Sequence, residues 1–248
     1  MKRIFNVLAQ KWSEYLLEIL VITIGILGAF ALNSWNIQRL ERKEEIEILL
    51  SVKKDLQNVI KEFEFLNGIR DSVLTGAEGI FRLTQTDQIE KEEMNGFLGL
   101  TMYRPTFNNK MGAINLLFSS GKINLIQSDS IKEKLLALPG AIDDMVEEEV
   151  YATEVFQTQY YPVLAKYIFI QDIVKYAFGT SFFGAIVQED MYNAAAMESD
   201  HASLLLDMEF LNHLRMRASH MQITNGETRE LIKLMDDIIQ LIDQEVKK

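Results

Sequence analysis

Glu198 and His201 stand three residues apart, a spacing that places two metal ligands on one face of a helix. Di-iron helical bundles use two such pairs together with two further carboxylates, and the sequence contains no second Glu-x-x-His pair. A carboxylate at the start of a helix is favoured by the helix dipole. We therefore interpret Glu198 as a helix-start residue and predict no metal site.

A second group, Glu209, His213 and His220, shares a helix face at steps of four and seven residues. A zinc or copper site needs a third ligand, and Asp207 and Met216 lie on other faces of the helix. We interpret the group as an exposed polar stripe with a Glu209–His213 pair. A pH-sensing histidine is the alternative, because histidine titrates near neutral pH.

Five acidic residues cluster within seven positions but lack the alternating ligands and the turning glycine of an EF-hand loop. They are predicted to form a solvated helix face, with docking of a basic partner as the alternative. The members of this acidic cluster are Asp143, Asp144, Glu147, Glu148 and Glu149.

The rest of the sequence carries no glycine-rich phosphate loop, nucleophile elbow or HExxH motif. The absence of cysteine removes thiolate chemistry. With 25 basic against 36 acidic residues, the chain has a net charge of −11, which argues against nucleic-acid binding. We predict a non-enzymatic protein with no cofactor and no nucleic-acid partner.

The element that decides the class of protein is a run of twenty residues without a charged side chain, from Ile19 to Gln38. As a helix it spans about 30 Å, the hydrocarbon thickness of a bilayer. Trp12, Tyr15 and Trp35 bracket the run, as interfacial aromatic residues do. The run is therefore predicted to be a transmembrane anchor.

A cleaved signal peptide and a buried soluble helix are the two alternatives to an anchor. Lys2, Arg3 and the Ala29-Phe30-Ala31 sequence imitate a signal peptide and its cleavage site. Against this, Glu14 and Glu18 interrupt the expected apolar core, and no turn signal follows Ala31. The length of the run argues against a buried helix.

One stripe of the anchor, about 80° wide at 100° per residue, carries small and polar residues. Small residues let another helix approach closely, and asparagine hydrogen-bonds across such contacts. We predict a transmembrane packing face, whereas the alternative is that Glu18 only reaches the headgroups and the small residues are coincidental. The face comprises Glu18, Ile22, Gly25, Ala29, Asn33 and Asn36.

Two parts follow from this pattern: a tail and anchor over residues 1–38, and a helical soluble domain over residues 39–248. A short basic tail before an apolar run is the layout of a signal anchor, which places the soluble domain outside the cytoplasm, in a periplasm if the cell has one. A count of Arg39, Arg42, Lys43 and the following lysines by the positive-inside rule gives the opposite orientation. We expect an inner-membrane, single-pass protein with a periplasmic domain.

The soluble part reads as all-α, because no strand alternation persists in it. A heptad seam runs from Leu49 to Leu66 and is expected to end near Gly68; it forms either a bundle face or a coiled coil with another copy. Shorter helices follow, with starts expected at Asp71, at Thr86 or Asp87, at Asn108, at a Ser130–Glu133 capping box, at Ser199 or Asp200, and at a Thr224–Glu227 capping box. Breaks or kinks are expected at Ser120–Gly121, Pro139–Gly140 and Pro162.

The most apolar stretch of the soluble part surrounds Gly179 and Gly184. It forms either a buried loop or a partner-binding patch. Its aromatic residues are Phe169, Tyr176, Phe178, Phe182 and Phe183.

Two blocks of the sequence resemble a family of uncharacterised single-pass membrane proteins from Bacteroidota. The family's anchor motif, E-I-x-L-V-x-I-G-I followed by N-x-W-N, resembles the segment YLLEILVITIGILGAFALNSWN. A second family block, L-x-x-S-G-x-L-x-L-I followed by a capped helix, resembles the segment LLFSSGKINLIQSDSIKEKLLAL. The matching positions are Glu18, Ile24, Gly25, Asn33, Trp35 and Asn36 in the first block and Ser120, Gly121, Leu125 and Ile126 in the second.

The chain departs from that family at Phe30 and Leu32, where glutamine-bearing variants are common, and at Leu138-Pro139, where paired tyrosines are frequent. The resemblance implies a membrane location and a helical domain, and it implies no activity.

The function predicted from these features is that of a membrane-anchored helical scaffold or interaction protein. Its partners would be the lipid bilayer and either a second copy of the chain or another membrane protein. A membrane-tethered sensor or ligand-binding bundle is the alternative, and a hydrolase or metalloenzyme is the third hypothesis.

Overall fold

The computed structural model describes residues 12–86, 88–108, 110–177 and 198–247, and every regular element in these ranges is helical. The predicted all-α class is confirmed. The elements are α1 (Trp12–Leu83), α2 (Lys91–Leu100), α3 (Gly112–Ser119), a 3-10 turn (Lys122–Leu125), α4 (Asp129–Val155), a π-helical turn (Phe156–Tyr160), α5 (Tyr161–Tyr167), α6 (Ile170–Ala177), α7 (His201–Leu206) and α8 (Met208–Glu245).

Helix α1 is unbroken over 72 residues, a length of about 108 Å. The expected end near Gly68 is wrong. An exposed glycine inside a helix costs about 1 kcal/mol. Leu66 and Val73 are buried on either side of Gly68, and burial of one such side chain contributes roughly 1.5–3 kcal/mol. Packing against the bundle therefore outweighs the local stop signal.

The first part of α1 projects from the bundle. Residues 15–41 are all exposed, and they extend over about 40 Å, more than the apolar thickness of a bilayer. Among the described residues, α1 is the one helix that is long and apolar enough to span a membrane. The hydroxyl of Thr23 donates to the carbonyl oxygen of Ile19 at 2.7 Å, so this polar group is satisfied within the helix.

The described bundle contains two large apolar cores stacked along α1 and a small third cluster of Val73, Ala152 and Met221. The first, here called the proximal core, begins a turn beyond Glu45 and joins α1, α3, α4 and α8. Every residue of the predicted heptad seam is buried in this core, which confirms that the seam is a bundle face. Its members include Leu49, Val52, Leu56, Val59, Phe63 and Leu66 of α1, Ile131, Leu135 and Ile142 of α4, and Leu231, Met235 and Ile238 of α8.

Helix α8 runs antiparallel to α1, and α4 runs parallel to it. Arg42 donates to the carbonyl oxygen of Glu245, and farther along α1 Thr228 donates to Asn67. The chain enters α4 beside Glu45, which accepts from the backbone N–H of Gln127. The three long helices therefore enclose the proximal core along most of its length.

The second, distal core joins the end of α1 to α2, α5, α6, α7 and the start of α8. Its members include Ile80, Met94, Leu98, Tyr160, Leu164, Ile173, Leu204 and Phe210. Glycines allow the close contact between α1 and α2. A Cβ atom at Gly76 would lie 2.6 Å from the carbonyl oxygen of Phe97. Gly76 and Gly79 thus serve packing, although both argue against a helix from sequence alone.

Several predicted boundaries inside the bundle are wrong. Helix α4 begins after Ser128, so Ser130–Glu133 is not a capping box, and the helix continues through Pro139 between the buried residues Leu138 and Ile142. Helix α8 likewise passes through Thr224, whose hydroxyl donates to the carbonyl oxygen of His220. Burial of the neighbouring helix face maintains α4 through the stop signal at Pro139 and α8 through the start signal at Thr224.

The sequence predicts a helix start correctly where the capping side chain directly precedes the helix. Asp200 accepts from the backbone N–H of Ser203 and caps α7, as expected. The chain also leaves α3 through Gly121, which has a φ of 72°, in the left-handed region. The expected starts at Thr86 and Asn108 are wrong, since α2 begins at Lys91 and α3 at Gly112.

Candidate functional site

The predicted transmembrane packing face lies entirely on the projecting part of α1. All six residues are exposed, and a Cβ atom added at Gly25 would have no atom within 4 Å. No other described part of the chain covers this face. The six residues are Glu18, Ile22, Gly25, Ala29, Asn33 and Asn36.

The predicted aromatic patch is described only in part. Phe178, Phe182 and Phe183 lie outside the described residues. Phe169 and Tyr176 are half-buried, and Tyr176 contacts α2 so closely that a Cβ atom at Gly99 would lie 2.5 Å from its own Cβ. Tyr176 therefore packs against α2, and the choice between a buried loop and a partner-binding patch stays a prediction.

His201 is buried, and its Nε2 lies 2.8 Å from the Oδ1 atom of Asn95. Burial lowers the pKa of His201, so the neutral imidazole is favoured. No group of three possible metal ligands exists among the described residues. His201 thus packs α7 onto α2.

The predicted pair of Glu209 and His213 is present, with 3.9 Å between Oε1 and Nε2. His220 turns instead toward α4. Its Nδ1 lies 3.7 Å from Glu148, and its ring meets the ring of Tyr151 edge-on at a centroid distance of 5.1 Å. The three residues therefore do not act as one site.

The acidic cluster divides into two environments. Asp143, Asp144 and Glu147 are exposed, as predicted, whereas Glu149 is buried. The prediction of a solvated position is therefore wrong for Glu149. Five residues within seven positions extend around most of a helix, and Glu149 lies on the buried face with Met145 and Ala152.

Glu149 belongs to a buried polar layer between the two apolar cores. One carboxylate oxygen forms an ion pair with the Arg70 guanidinium, which has no exposed surface. The other oxygen accepts from the backbone N–H of Phe107 at 2.7 Å. Arg70 also donates to Asn67 Oδ1 at 2.7 Å, and Thr228 donates to the same oxygen at 2.7 Å.

Burial acts against the charged form of both partners in this ion pair. It raises the pKa of Glu149, although the Phe107 N–H and Arg70 oppose this effect. It also lowers the pKa of Arg70, although Glu149 opposes this effect. The ion pair therefore fixes the position of α4 relative to α1 more than it adds to net stability, because desolvation offsets much of the attraction between the charges.

A second arginine, Arg217 of α8, holds the backbone that leaves α2. Its Nε donates to the carbonyl oxygen of Thr101 at 2.7 Å, and its Nη2 donates to that of Tyr103. The guanidinium carbon lies 4.4 Å from the centre of the Phe156 ring. Burial lowers the pKa of Arg217 to about 10.

Tyr160, beside Arg217, is fully buried in the π-helical turn. Its hydroxyl lies 2.6 Å from the hydroxyl of Thr101. Burial raises the pKa of Tyr160 to about 12, so the phenol stays protonated.

The loops before α3 and α4 are held by carboxylates from α1. Glu62 accepts from the backbone N–H of Asn108 at 3.0 Å, and Asp55 accepts from the N–H groups of Ala113 at 2.6 Å and Ile114 at 3.3 Å. Asp55 thus caps α3 from another helix. No local pattern in the sequence indicates these contacts.

The concave features of the described bundle include a groove and a small cavity. A groove of about 560 Å³ between α4 and α8 has an apolar floor that includes Met145 and Leu231, with Asp144, Glu227 and Glu230 among its lining residues. A much smaller cavity of about 10 Å³ lies in the polar layer beside Arg70 and Arg217. The charged residues that line the open groove are acidic, whereas those that line the cavity are mainly arginines.

None of the protein-family models, curated proteins or solved structures compared with the chain matches it. The resemblance to the Bacteroidota membrane-protein family therefore stays a prediction that rests on the residues quoted for it.

Proposed function

We propose that this protein is a non-catalytic, single-pass membrane-anchored interaction protein whose transmembrane helix packs against a second transmembrane helix. The observation that carries the proposal is the exposed packing face of α1. Gly25 has open space where a side chain would stand, and the side chains of Asn33 and Asn36 are exposed on the same stripe.

Physical chemistry favours a partner on this face. Small residues such as Gly25 and Ala29 allow two helix backbones to approach closely, so that dispersion contacts and interhelical hydrogen bonds form. An asparagine side chain in an apolar environment is costly unless it is hydrogen-bonded. A second helix with its own polar groups would satisfy Asn33 and Asn36.

The proposal includes a location and an orientation. A basic tail before the anchor fits insertion into an inner membrane with the bundle on the periplasmic side. A maleimide that does not cross membranes tests the orientation in spheroplasts that carry the Met208→Cys variant, because Met208 is 69% exposed. Labelling of intact spheroplasts supports a periplasmic bundle, and labelling only after lysis refutes it.

Disulfide crosslinking tests the packing face directly. The chain has no cysteine, so a single introduced thiol gives a clean readout. We expect Gly25→Cys and Ala29→Cys to crosslink in native membranes, either to a second copy or to another membrane protein. Leu27→Cys is the matched control, because Leu27 is also exposed but lies about 180° from Glu18 around the helix. Equal yields at all three positions, or none at any, would refute the proposal.

A further inference from the structure

The small cavity in the polar layer has an unusual charge for this protein. Arg70, Arg104 and Arg217 line it, and Glu149 is the single carboxylate among its described lining residues. Three guanidinium groups therefore stand against one carboxylate in the lining, while Asp71 and Glu227, which do not line the cavity, oppose the lowering of the Arg70 pKa by burial. The chain as a whole carries a net charge of −11.

Arg70 lines this cavity and has one hydrogen-bond donor without an acceptor among the described residues. Its two terminal nitrogens bond to Asn67 and Glu149, while its Nε is buried and has no hydrogen-bond partner among the described residues. The side chain has no exposed surface. A fully buried donor without an acceptor is unusual in folded proteins.

The other two arginines have no ion pair with any described residue. Arg217 is 3% exposed and donates only to backbone carbonyls. Arg104 lies near the same ring of Phe156, with 5.7 Å from its guanidinium carbon to the ring centre, against 4.4 Å for Arg217. Two like charges thus share one aromatic ring, and the charge of Arg104 further lowers the pKa of Arg217.

The size of the cavity restricts the ligand. About 10 Å³ is space for the centre of a single water-sized sphere. A monatomic anion the size of chloride is slightly larger than a water molecule, so it would need an outward movement of Arg104, which is exposed and can move. A tetrahedral oxyanion, with four oxygens around its central atom, does not fit.

We propose that this cavity is a binding site for one halide ion of the size of chloride, bound between the guanidinium groups of Arg70, Arg104 and Arg217. The ion supplies the negative charge that buried arginines require. It accepts from Nε of Arg70 and links α1, α8 and the segment after α2. This binding site is independent of the transmembrane packing face.

The test is a halide titration of the full-length protein in detergent micelles, with sodium gluconate replaced by sodium chloride at constant ionic strength. We expect Tm to rise by about 2–4 °C and to saturate, as it does when a ligand binds only the folded state. Arg104→Gln should weaken the apparent chloride affinity at least fivefold. Because Arg104 is exposed, this variant keeps the buried layer intact.

Arg82→Gln is the matched control. Arg82 is also exposed, and its guanidinium carbon lies 5.6 Å from the centre of the Phe97 ring, but it does not line the cavity. This variant should retain the chloride affinity of the unaltered protein. Line broadening in ³⁵Cl NMR provides a second readout, and we expect Arg104→Gln alone to reduce it.

Two results would overturn the halide site. A rise in Tm that is linear in chloride and equal in all three proteins would show a general salt effect. No rise, together with no protein-dependent ³⁵Cl broadening, would show that the cavity holds water only.

Discussion

Replacing Glu149 by alanine removes the carboxylate that is bonded to the fully buried guanidinium of Arg70. Breaking a buried ion pair from one side destabilises a protein by about 3–5 kcal/mol, because the remaining charge stays buried without a partner. The backbone N–H of Phe107 also loses its acceptor, an effect of about 1–3 kcal/mol by itself. Water that enters the space left by the side chain serves both groups, so the two effects overlap. We expect a total loss of about 3–5 kcal/mol.

Thermal unfolding in detergent micelles, followed by circular dichroism at 222 nm, measures this loss. For a domain of this size, 1 kcal/mol corresponds to roughly 2–4 °C, so Tm should fall by about 10 °C. Glu147→Ala is the control on the same helix, since Glu147 is exposed, and its effect should stay within about 0.5 kcal/mol.

A double variant separates the cost of an unpaired charge from the value of the pair. Replacing both Arg70 and Glu149 by leucine leaves no buried charge at this position, and such replacements are often neutral or stabilising. We expect the double variant to recover part of the stability that Glu149→Ala loses, because the buried charge is gone while the Phe107 N–H still lacks its acceptor. The reasoning is refuted if Glu149→Ala falls within 1 kcal/mol of Glu147→Ala, or if the double variant is less stable than the single one.

Three further predictions concern other contacts. Gly76→Ala should destabilise the bundle by about 1–3 kcal/mol, because its Cβ atom would meet the backbone of α2. Gly68→Ala, which has open space around the new Cβ atom, should stabilise the bundle by about 0.5–1 kcal/mol. Thermal unfolding measures both changes, and changes of the same sign would contradict the packing argument. Tyr160 has a pKa raised to about 12 against about 10 when unfolded, so its contribution to stability is complete below pH 10 and is lost as the pH rises through 12. Between pH 9 and pH 12 the protein should therefore lose about 2 kcal/mol more than Tyr160→Phe does in denaturant titrations, and parallel losses would disprove the assignment. Asp55→Ala should remove the cap of α3, at a cost of about 1 kcal/mol, and speed amide hydrogen exchange at Ala113 severalfold; unchanged exchange would show that the cap is dispensable.

The sequence predicts those parts of the fold that depend on repeated local patterns. The heptad seam from Leu49 to Leu66 identified the buried face of α1, and the apolar run from Ile19 to Gln38 identified its projecting part. Helix ends were predicted poorly, because Gly68 and Pro139 are local stop signals that burial of neighbouring side chains outweighs.

The polar layer could not be predicted from the sequence. Arg70 and Glu149 are 79 residues apart, and nothing local to either residue indicates its partner. Glu149 follows exposed acidic residues in the sequence, and such an acidic segment is typical of a solvated position. Its burial follows from the face that it occupies on α4. Asp55 is equally ordinary in sequence, yet it caps a helix 58 residues away. Long-range partners of charged residues depend on the completed packing of the helices.

The pairing of α1 with α8 affects the order in which the bundle can form during synthesis. Arg42 meets the backbone of Glu245 across 203 residues, and α8 contributes side chains to both apolar cores. The ribosome must therefore synthesise α8 before either core can close, long after it has synthesised the apolar start of α1. Forming such distant contacts is slow, because the intervening chain must lose its freedom beforehand. A fragment that lacks α8 would leave the apolar faces of α1 and α4 exposed to water, because side chains of α8 cover both in the folded bundle.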